Sequence, residues 1–573
     1  MSPSALAAFA PGLATPHLVI APVLLPMVTA AVMLLLGEKR RRLKAWVNIA
    51  STAVGLALAV VLLRWVDHGG VPGVVGVYLP SNWDVPYGIV LAVDRLSALM
   101  LVLTATVALG ALLFAVARWD RAGVHFHPLF QVQLMGLYGA FLTADLFNLF
   151  VFFEVMLAAS YGLLLHGSGA QRVRAGLHYV AINLVASSFF LIGAAMIYGV
   201  TGTLNFADLA VKIPHIPVKD RGLLHAGAAI LATAFLAKAA MWPMNAWLEP
   251  AYSAASAPVA GVFAIMTKVG LYAVLRLWTL MFSAQAGASA QFGGAWLVAG
   301  GLLTIAFGSM GMLGAKRLGR LASFSVLISS GTLIAAIGFG DPALTGGALY
   351  YLASSTLAVS ALFLLAELVE RSRVAAGEKP EGDTIPGGLD DGAGGFESSA
   401  DGLRMNFADD PEALIGRAIP AAMAFLGLSF IACTLLLSGL PPLSGFIGKL
   451  AMLTALLNPL GGEPAPAVTR AGWTLVALLV LSGLVSMIAL SRAGIRHFWA
   501  PQDRPAPRLR VIECLPIGLL VVACCALSVQ GEAVVRYGRL TADALVNPTP
   551  YINAVVTALP VPSPTKSRAG VGE

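Results

Sequence analysis

Three lysines and one glutamate stand where an apolar chain has no structural need of charge. Lys238, Lys268 and Lys449 each fall inside a long hydrophobic run, and Glu154 sits near the middle of LFVFFEVMLAASYGLLL, flanked by Phe152, Phe153, Val155 and Met156. Ionisable groups at membrane depth are rare and mark ion or proton paths. The choice of lysine narrows the chemistry, because a guanidinium stays charged at every accessible pH whereas a lysine taken out of water can lose and regain its proton. Only ten lysines occur in the 573 residues, so three inside apolar runs is a concentration of groups able to exchange protons. A static ion pair between two helices is the competing reading for any one of them. Three lysines against one deep glutamate, however, leave positive charge that water or a proton path must accommodate. Asp145 is not a second acid of this kind: nine residues from Glu154, it falls about 180° round a helix and reads as an interfacial cap. Tyr161, seven residues after Glu154, shares its face and reads as packing.

The elements that position these groups are membrane spans. The chain is 58% hydrophobic and 11% charged, against roughly 45–50% and about 25% for a soluble domain, which excludes a soluble enzyme. Apolar windows lie near 18–37, 45–65, 93–117, 127–145, 146–165, 175–199, 223–244, 251–277, 295–314, 318–339, 344–369, 418–457, 472–491 and 511–530. The expected fold is therefore an all-α polytopic membrane protein of about fourteen transmembrane helices. Residues 418–457 would make one helix of about 60 Å, roughly twice the hydrocarbon thickness, so this window must break. Gly439-Leu440-Pro441-Pro442 supplies the break, and Trp242-Pro243 just after Lys238 supplies another in span seven. Discontinuous helices near the midplane are what transporters use to build ion sites.

A net charge of +7 would suggest nucleic acid in a soluble chain, but here the basic residues cluster between apolar windows. The first connection holds Lys39, Arg40, Arg41, Arg42 and Lys44; odd-numbered connections together carry seventeen basic residues against five in the even-numbered ones, namely Lys212, Lys219 and Arg221 with Arg276 and Arg470 near helix ends. That asymmetry places odd connections in the cytoplasm and both termini outside. The N-terminal MSPSALAAFAPGLATPH has no basic n-region, which predicts that the first span is retained. Residues 66–92 read as a small external hairpin, and residues 371–417, rich in Gly, Asp and Glu, as a flexible cytoplasmic loop. Cys433, Cys514, Cys524 and Cys525 lie in apolar stretches without C-x-x-C or histidine spacing, so no disulfide, metal site or cofactor is expected. His125, His127, His166, His178, His215 and His225 fall at or near span ends and read as interfacial.

Three stretches carry a family likeness: LTADLFNLFVFFEVMLAASYGLLLHG at 142–167, AFLAKAAMWPMNAWLEPAYSAASAPVAGVFAIMTKVGLYAVLR at 234–276, and SGLPPLSGFIGKLAML at 438–453. Together they resemble the proton-translocating antiporter-like superfamily, the large membrane subunits of respiratory complex I, membrane-bound hydrogenases and Mrp (also Mnh or Pha) multisubunit cation/proton antiporters. Within it, ADLFNLFVFFEVM, NWDVPYGIVLAVDRLSALM at 82–100 and the tail YGRLTADALVNPTPYINAVV are most similar to the D subunit of Mrp-type antiporters. The resemblance implies helices 1–3 with the external hairpin over 1–126, a first five-helix repeat over 127–280, an inverted second repeat over 295–491 containing the 371–417 loop, and a last helix and tail over 492–573. It implies broken helices in spans 7 and 12, a Glu154–Lys238 pair, onward passage of the proton by Lys268, and Lys449 in the second half-channel. One departure matters. Span eleven of the family commonly reads H-D-x-x-x-K-x-x-L-F, whereas YYLASSTLAVSALF places Ser354 and Val359 at the His and Lys positions. Two outcomes stay open for the central relay: it runs through water and hydroxyls such as Ser354, Ser355 and Thr356, or it is impaired.

The function these features imply is a secondary transporter subunit, not an enzyme. It sits in the cell (inner) membrane among lipid and the other members of a hetero-oligomer, exchanges protons for Na⁺ or K⁺, and has no nucleic-acid partner. The alternative of another class is a proton-pumping subunit of a redox complex, which would use the same relay and be separated from the first by the proteins that co-purify with it.

Overall fold

The computed structural model describes residues 15–68, 73–123, 125–167, 169–375, 421–457, 468–499 and 509–561. The chain begins with helices α1 (Thr15–Leu35) and α2 (Arg41–Asp67), then a two-stranded antiparallel sheet of β1 (Gly76–Tyr78) and β2 (Leu91–Val93), with Val77 opposite Ala92. This pair is the hairpin expected over 66–92, with its second strand running one residue further to Val93 and residues 66–67 still in α2. There follow α3 (Arg95–Arg118), α4 (Phe126–Leu142), α5 (Leu146–Leu164), α6 (Ala170–Thr201), the short α7 (Phe206–Lys212), α8 (Val218–Lys238), the short α9 (Leu248–Ala254) and α10 (Ala257–Met281). The second half comprises α11 (Gly294–Gly314), α12 (Leu318–Phe339), α13 (Pro342–Ala375), α14 (Ala421–Ser438), α15 (Ser444–Leu457), α16 (Arg470–Gly494) and α17 (Val511–Val529), before α18 (Gly531–Val546) and α19 (Thr549–Val556).

Among the described residues, twelve of these helices are long and apolar enough to cross a membrane. The fourth predicted window holds α4, with 17 residues. The seventh holds α8, whose first turn carries Lys219, Asp220 and Arg221. Helix α13 runs on to Ala375, so the first five residues of the expected 371–417 loop are helical; 376–417 lie outside the described residues. Caps fix where spans begin: Asp94 accepts from the Ser97 amide at 3.0 Å to open α3, and Asp145 from the Asn148 amide at 2.8 Å to open α5. Asp145 is thus the cap its sequence position suggested.

Helices in lipid gain little from apolar burial against one another, so close approach at small residues holds them together. Helices α11 and α12 show this: a Cβ on Gly301 would lie 2.7 Å from the Gly331 carbonyl oxygen, and one on Gly338 2.6 Å from the Val298 nitrogen. Peripheral helices keep apolar side chains outward, as with Trp46 on α2, Leu184 on α6 and Val522 on α17. Helix α10 has no such face; its membrane stretch is enclosed throughout by protein. Any charge on α10 is therefore buried among helices rather than turned to lipid.

Candidate functional site

Two interruptions organise the site, and both end a helix with a left-handed residue. Helix α8 stops at Lys238; Ala240 then takes φ +57°, and the Met241 amide reaches back to the Leu236 carbonyl at 2.9 Å. Helix α14 stops at Ser438; Gly439 takes φ +75°, and the Leu440 amide reaches back to Leu435 at 3.0 Å. This is the six-to-one closure of a Schellman end, which satisfies some of the final carbonyls and leaves others available. Near Lys238 the loosened backbone is answered by side chains: the Trp247 indole N–H donates to the Ala237 carbonyl at 3.0 Å, and the Trp242 amide to the Thr304 hydroxyl at 2.9 Å.

Lys238, in the last turn of α8, is 5% exposed and its ammonium has no hydrogen-bond partner among the described residues. It stands 4.9 Å from the centre of the Phe153 ring, a cation–π contact that offers partial compensation. Glu154 is next along α5, yet the expected Glu154–Lys238 pair is not a contact pair. The Glu154 carboxylate instead accepts from the Ser187 hydroxyl of α6 at 2.5 Å, while its field still reaches the lysine. Tyr161 packs edge to face on the Tyr179 ring of α6, centroids 5.4 Å apart, as its spacing suggested, and its buried hydroxyl has no partner among the described residues.

Lys268 lies in the enclosed middle of α10, 1% exposed, with no carboxylate bonded to it among the described residues. Its ammonium donates to the Ser329 hydroxyl of α12 at 2.9 Å and lies 3.5 Å from that of Ser330. Ser329 in turn is 2.9 Å from the Ser355 hydroxyl of α13. Helices α8 and α10 meet backbone to backbone between the first two lysines, since a Cβ on Gly270 would lie 2.6 Å from the Phe235 carbonyl oxygen. The neighbouring α13 hydroxyl, Ser354, bonds the Ser444 hydroxyl at 2.8 Å, which is the first residue of α15. Thr356 bonds back to its own helix at Leu352 and stays out of this chain; Val359 is buried and apolar.

Lys449, 8% exposed on α15, donates to the Ser438 carbonyl at 2.9 Å. That oxygen belongs to the C-terminal end of α14, where unsatisfied carbonyls and the helix dipole both favour a cation. The slot that admits the lysine is made by two glycines. A Cβ on Gly439 would lie 2.7 Å from Lys449 Cδ, and one on Gly483 of α16 would lie 3.0 Å from its Nζ.

The structure thus links Lys268 to α13 through one hydroxyl chain and α13 to the Lys449 helix through another. Sequence reading named Ser354 and Ser355 but missed Ser187, Ser329 and Ser444, which nothing in the sequence sets apart from the other serines of the spans. It also counted Arg276 as a charge near a helix end. Arg276 is 2% exposed and bidentate on Asp94 at 2.7 and 2.6 Å, with the Tyr551 ring 4.9 Å from its guanidinium carbon. Glu367, near the end of the eleventh window, is a second acid, held by the Trp119 indole N–H.

A family model described as NADH:quinone oxidoreductase/Mrp antiporter, transmembrane, matches residues 143–379. A Rhizobium meliloti protein named as the probable D subunit of a K(+)/H(+) antiporter is 52% identical over 544 residues, covering 95% of this chain and 98% of that protein. The D subunit of the Na(+)/H(+) antiporter of Bacillus subtilis is 31% identical over 547 residues, covering 94% and 99%. Among solved structures, a chain of the Mrp complex of a Dietzia species superposes with a TM-score of 0.77 at 25% identity, over 95% of this chain and all of that one. By its 52% identity over nearly its whole length, the chain belongs to the D-subunit family of multisubunit cation/proton antiporters.

Proposed function

We propose that this chain is the proton-translocating D subunit of a hetero-oligomeric antiporter, which exchanges protons for Na⁺ or K⁺ across the cell membrane. Glu154 and Lys238 form a gated couple at the first break, Lys268 is the central carrier, and Lys449 loads or releases the proton at the second break. The observation that carries this reading is the run of contacts from Lys268 through Ser329 to Ser355, continued beside it by Ser354 and Ser444 to the Lys449 helix. Hydroxyls both donate and accept, so each can pass a proton onward, with water joining the adjacent Ser354 and Ser355. That arrangement favours the hydroxyl route over an impaired relay in span eleven. The twin helix ends at Ala240 and Gly439 support reading 127–280 and 295–491 as two related repeats.

The test is exchange by the whole complex in everted vesicles. Glu154→Gln keeps an acceptor for Ser187 but cannot titrate, so the complex should assemble and cation-dependent proton movement should disappear; normal exchange by the assembled variant removes Glu154 from the path. Co-purification with small cation-antiporter subunits supports the antiporter, whereas iron–sulfur partners would assign the chain to a redox-driven pump.

A further inference from the structure

On the face that gathers the basic odd-numbered connections, a cavity of about 470 Å³ opens between α6, α10, α12 and α13, lined by Trp119, Arg172, Ser256, Arg320, Glu367 and Arg371 among others. Glu367, on the last turns of α13, is held there by the Trp119 indole N–H, 2.8 and 2.7 Å from its two carboxylate oxygens. Arg118, Arg172 and Arg371 are the cationic groups whose fields reach it, and the Ala257 amide at the start of α10 faces it. None of these contacts belongs to the couple at Glu154.

Two hydroxyls, one at the level of Glu367 and one below it, have no assigned work. Ser256 lines the cavity at 2% exposure and Ser360 lies deeper at 0% exposure; neither hydroxyl has a hydrogen-bond partner among the described residues. Buried polar groups are almost always satisfied, so two orphans on one seam point to an occupant that comes and goes. Ser360 is two turns from Glu367 on the same face of α13. It abuts α10 at Gly261, where a Cβ would lie 3.0 Å from its oxygen. From Gly261 to Lys268 is another seven residues, about 10.5 Å along α10. Helical side chains lean toward the N-terminus, so the Lys268 stem covers part of that interval. The α10–α13 seam therefore places Glu367, Ser360 and Lys268 in descending order from the cavity.

We propose that Glu367, Ser256 and Ser360 form a proton inlet from this cavity to Lys268, distinct from the access at Glu154. The Glu367 carboxylate takes a proton from hydronium in the cavity; its O–H then releases that proton through water to the Ser360 hydroxyl, which passes its own through further water to the neutral Lys268 amine. The carboxylate and hydroxyl are regenerated and one ammonium is formed. By the basic asymmetry this inlet faces the cytoplasm.

The inference rests on Lys268 being a proton carrier, and the experiment separates the two. In everted vesicles carrying the full complex, Glu367→Gln should cut cation-dependent proton exchange about tenfold and Ser360→Ala several-fold, with Glu367→Asp and Ser360→Thr regaining part of the loss. The dependence of the residual rate on pH at the cavity face should flatten in Glu367→Gln, a change that a merely structural role would not produce. Should Glu367→Gln fail to assemble, Ser360→Ala, a small buried change, decides the matter alone. If Lys268→Gln abolishes exchange while assembled Glu367→Gln and Ser360→Ala both run at the wild-type rate and pH profile, the inlet is overturned and the central carrier stands. If Lys268→Gln itself exchanges normally, the reading beneath the inlet falls with it.

Discussion

Gly483→Ala probes the Lys449 site without touching the lysine. Gly483 is a buried residue of α16 with ordinary helical backbone, so alanine suits the helix and gains up to about 1 kcal/mol of propensity. The added Cβ, however, would lie 2.7 Å from the Ser438 carbonyl oxygen and 3.0 Å from Lys449 Nζ. Restoring a carbon–oxygen distance of about 3.3 Å requires a shift of about 0.6 Å. Applied along the Lys449–Ser438 bond, now 2.9 Å, that shift gives about 3.5 Å, at which the hydrogen bond is essentially lost. A hydrogen bond to a charged group is worth about 1.5–3 kcal/mol, which lowers the population of correctly placed ammonium by about 10- to 150-fold. Overpacking costs about 1–3 kcal/mol and is partly offset by the helix propensity, so assembly should survive. Cation-dependent proton exchange in everted vesicles should fall at least tenfold, with subunit co-purification near normal. Gly427→Ala on α14, where a Cβ meets nothing within 4 Å, is the control and should exchange normally. Wild-type exchange by Gly483→Ala would refute the idea that a close Lys449–Ser438 contact is required.

Lys449→Arg keeps the charge but not the ability to release it; assembly should persist and exchange should be strongly reduced, and full exchange would make Lys449 a structural anchor. Ser329→Ala removes the hydroxyl between Lys268 and Ser355; exchange should drop about tenfold, with Ser329→Thr retaining most of it, and an unchanged rate in the alanine variant would exclude this hydroxyl from the relay. Ala240 holds a left-handed conformation at φ +57°, so Ala240→Gly should stabilise the purified complex by about 1 kcal/mol with exchange intact; a lower melting temperature would contradict the strain assigned to that residue.

The spans and their charged residues were legible because membrane physics penalises both a short apolar run and a stray charge. Lys238, Lys268 and Lys449 announced themselves by residue type alone, and the Pro441-Pro442 break by the length of its window. What the charges touch was not legible. Serine is ordinary in membrane helices, so nothing in the run SFSVLISSGT distinguishes Ser329, which meets Lys268, from Ser325, which bonds back to its own helix at Leu321. The separation of Glu154 from Lys238 depends on where α6 places Ser187, a tertiary matter. Arg276 misled for the opposite reason: a charge near a helix end suggests solvent, and only the capping carboxylate of Asp94 draws it into protein. Glu367 was hidden by its place at the edge of a window, where an acid is usually solvated.

In the proposed relay every proton crosses this subunit through Lys268. Its ammonium is enclosed by helices and donates to hydroxyls, not to a carboxylate, among the described residues. Lys268→Gln keeps an N–H donor toward Ser329 and removes a buried charge, so the fold has little to lose, while the amide cannot carry a proton. The decisive measurement is cation-dependent proton exchange by the assembled Lys268→Gln complex in everted vesicles. Normal subunit stoichiometry is expected, with no exchange above the background of vesicles lacking the complex. Exchange at the wild-type rate would contradict it and move the proton path off α10.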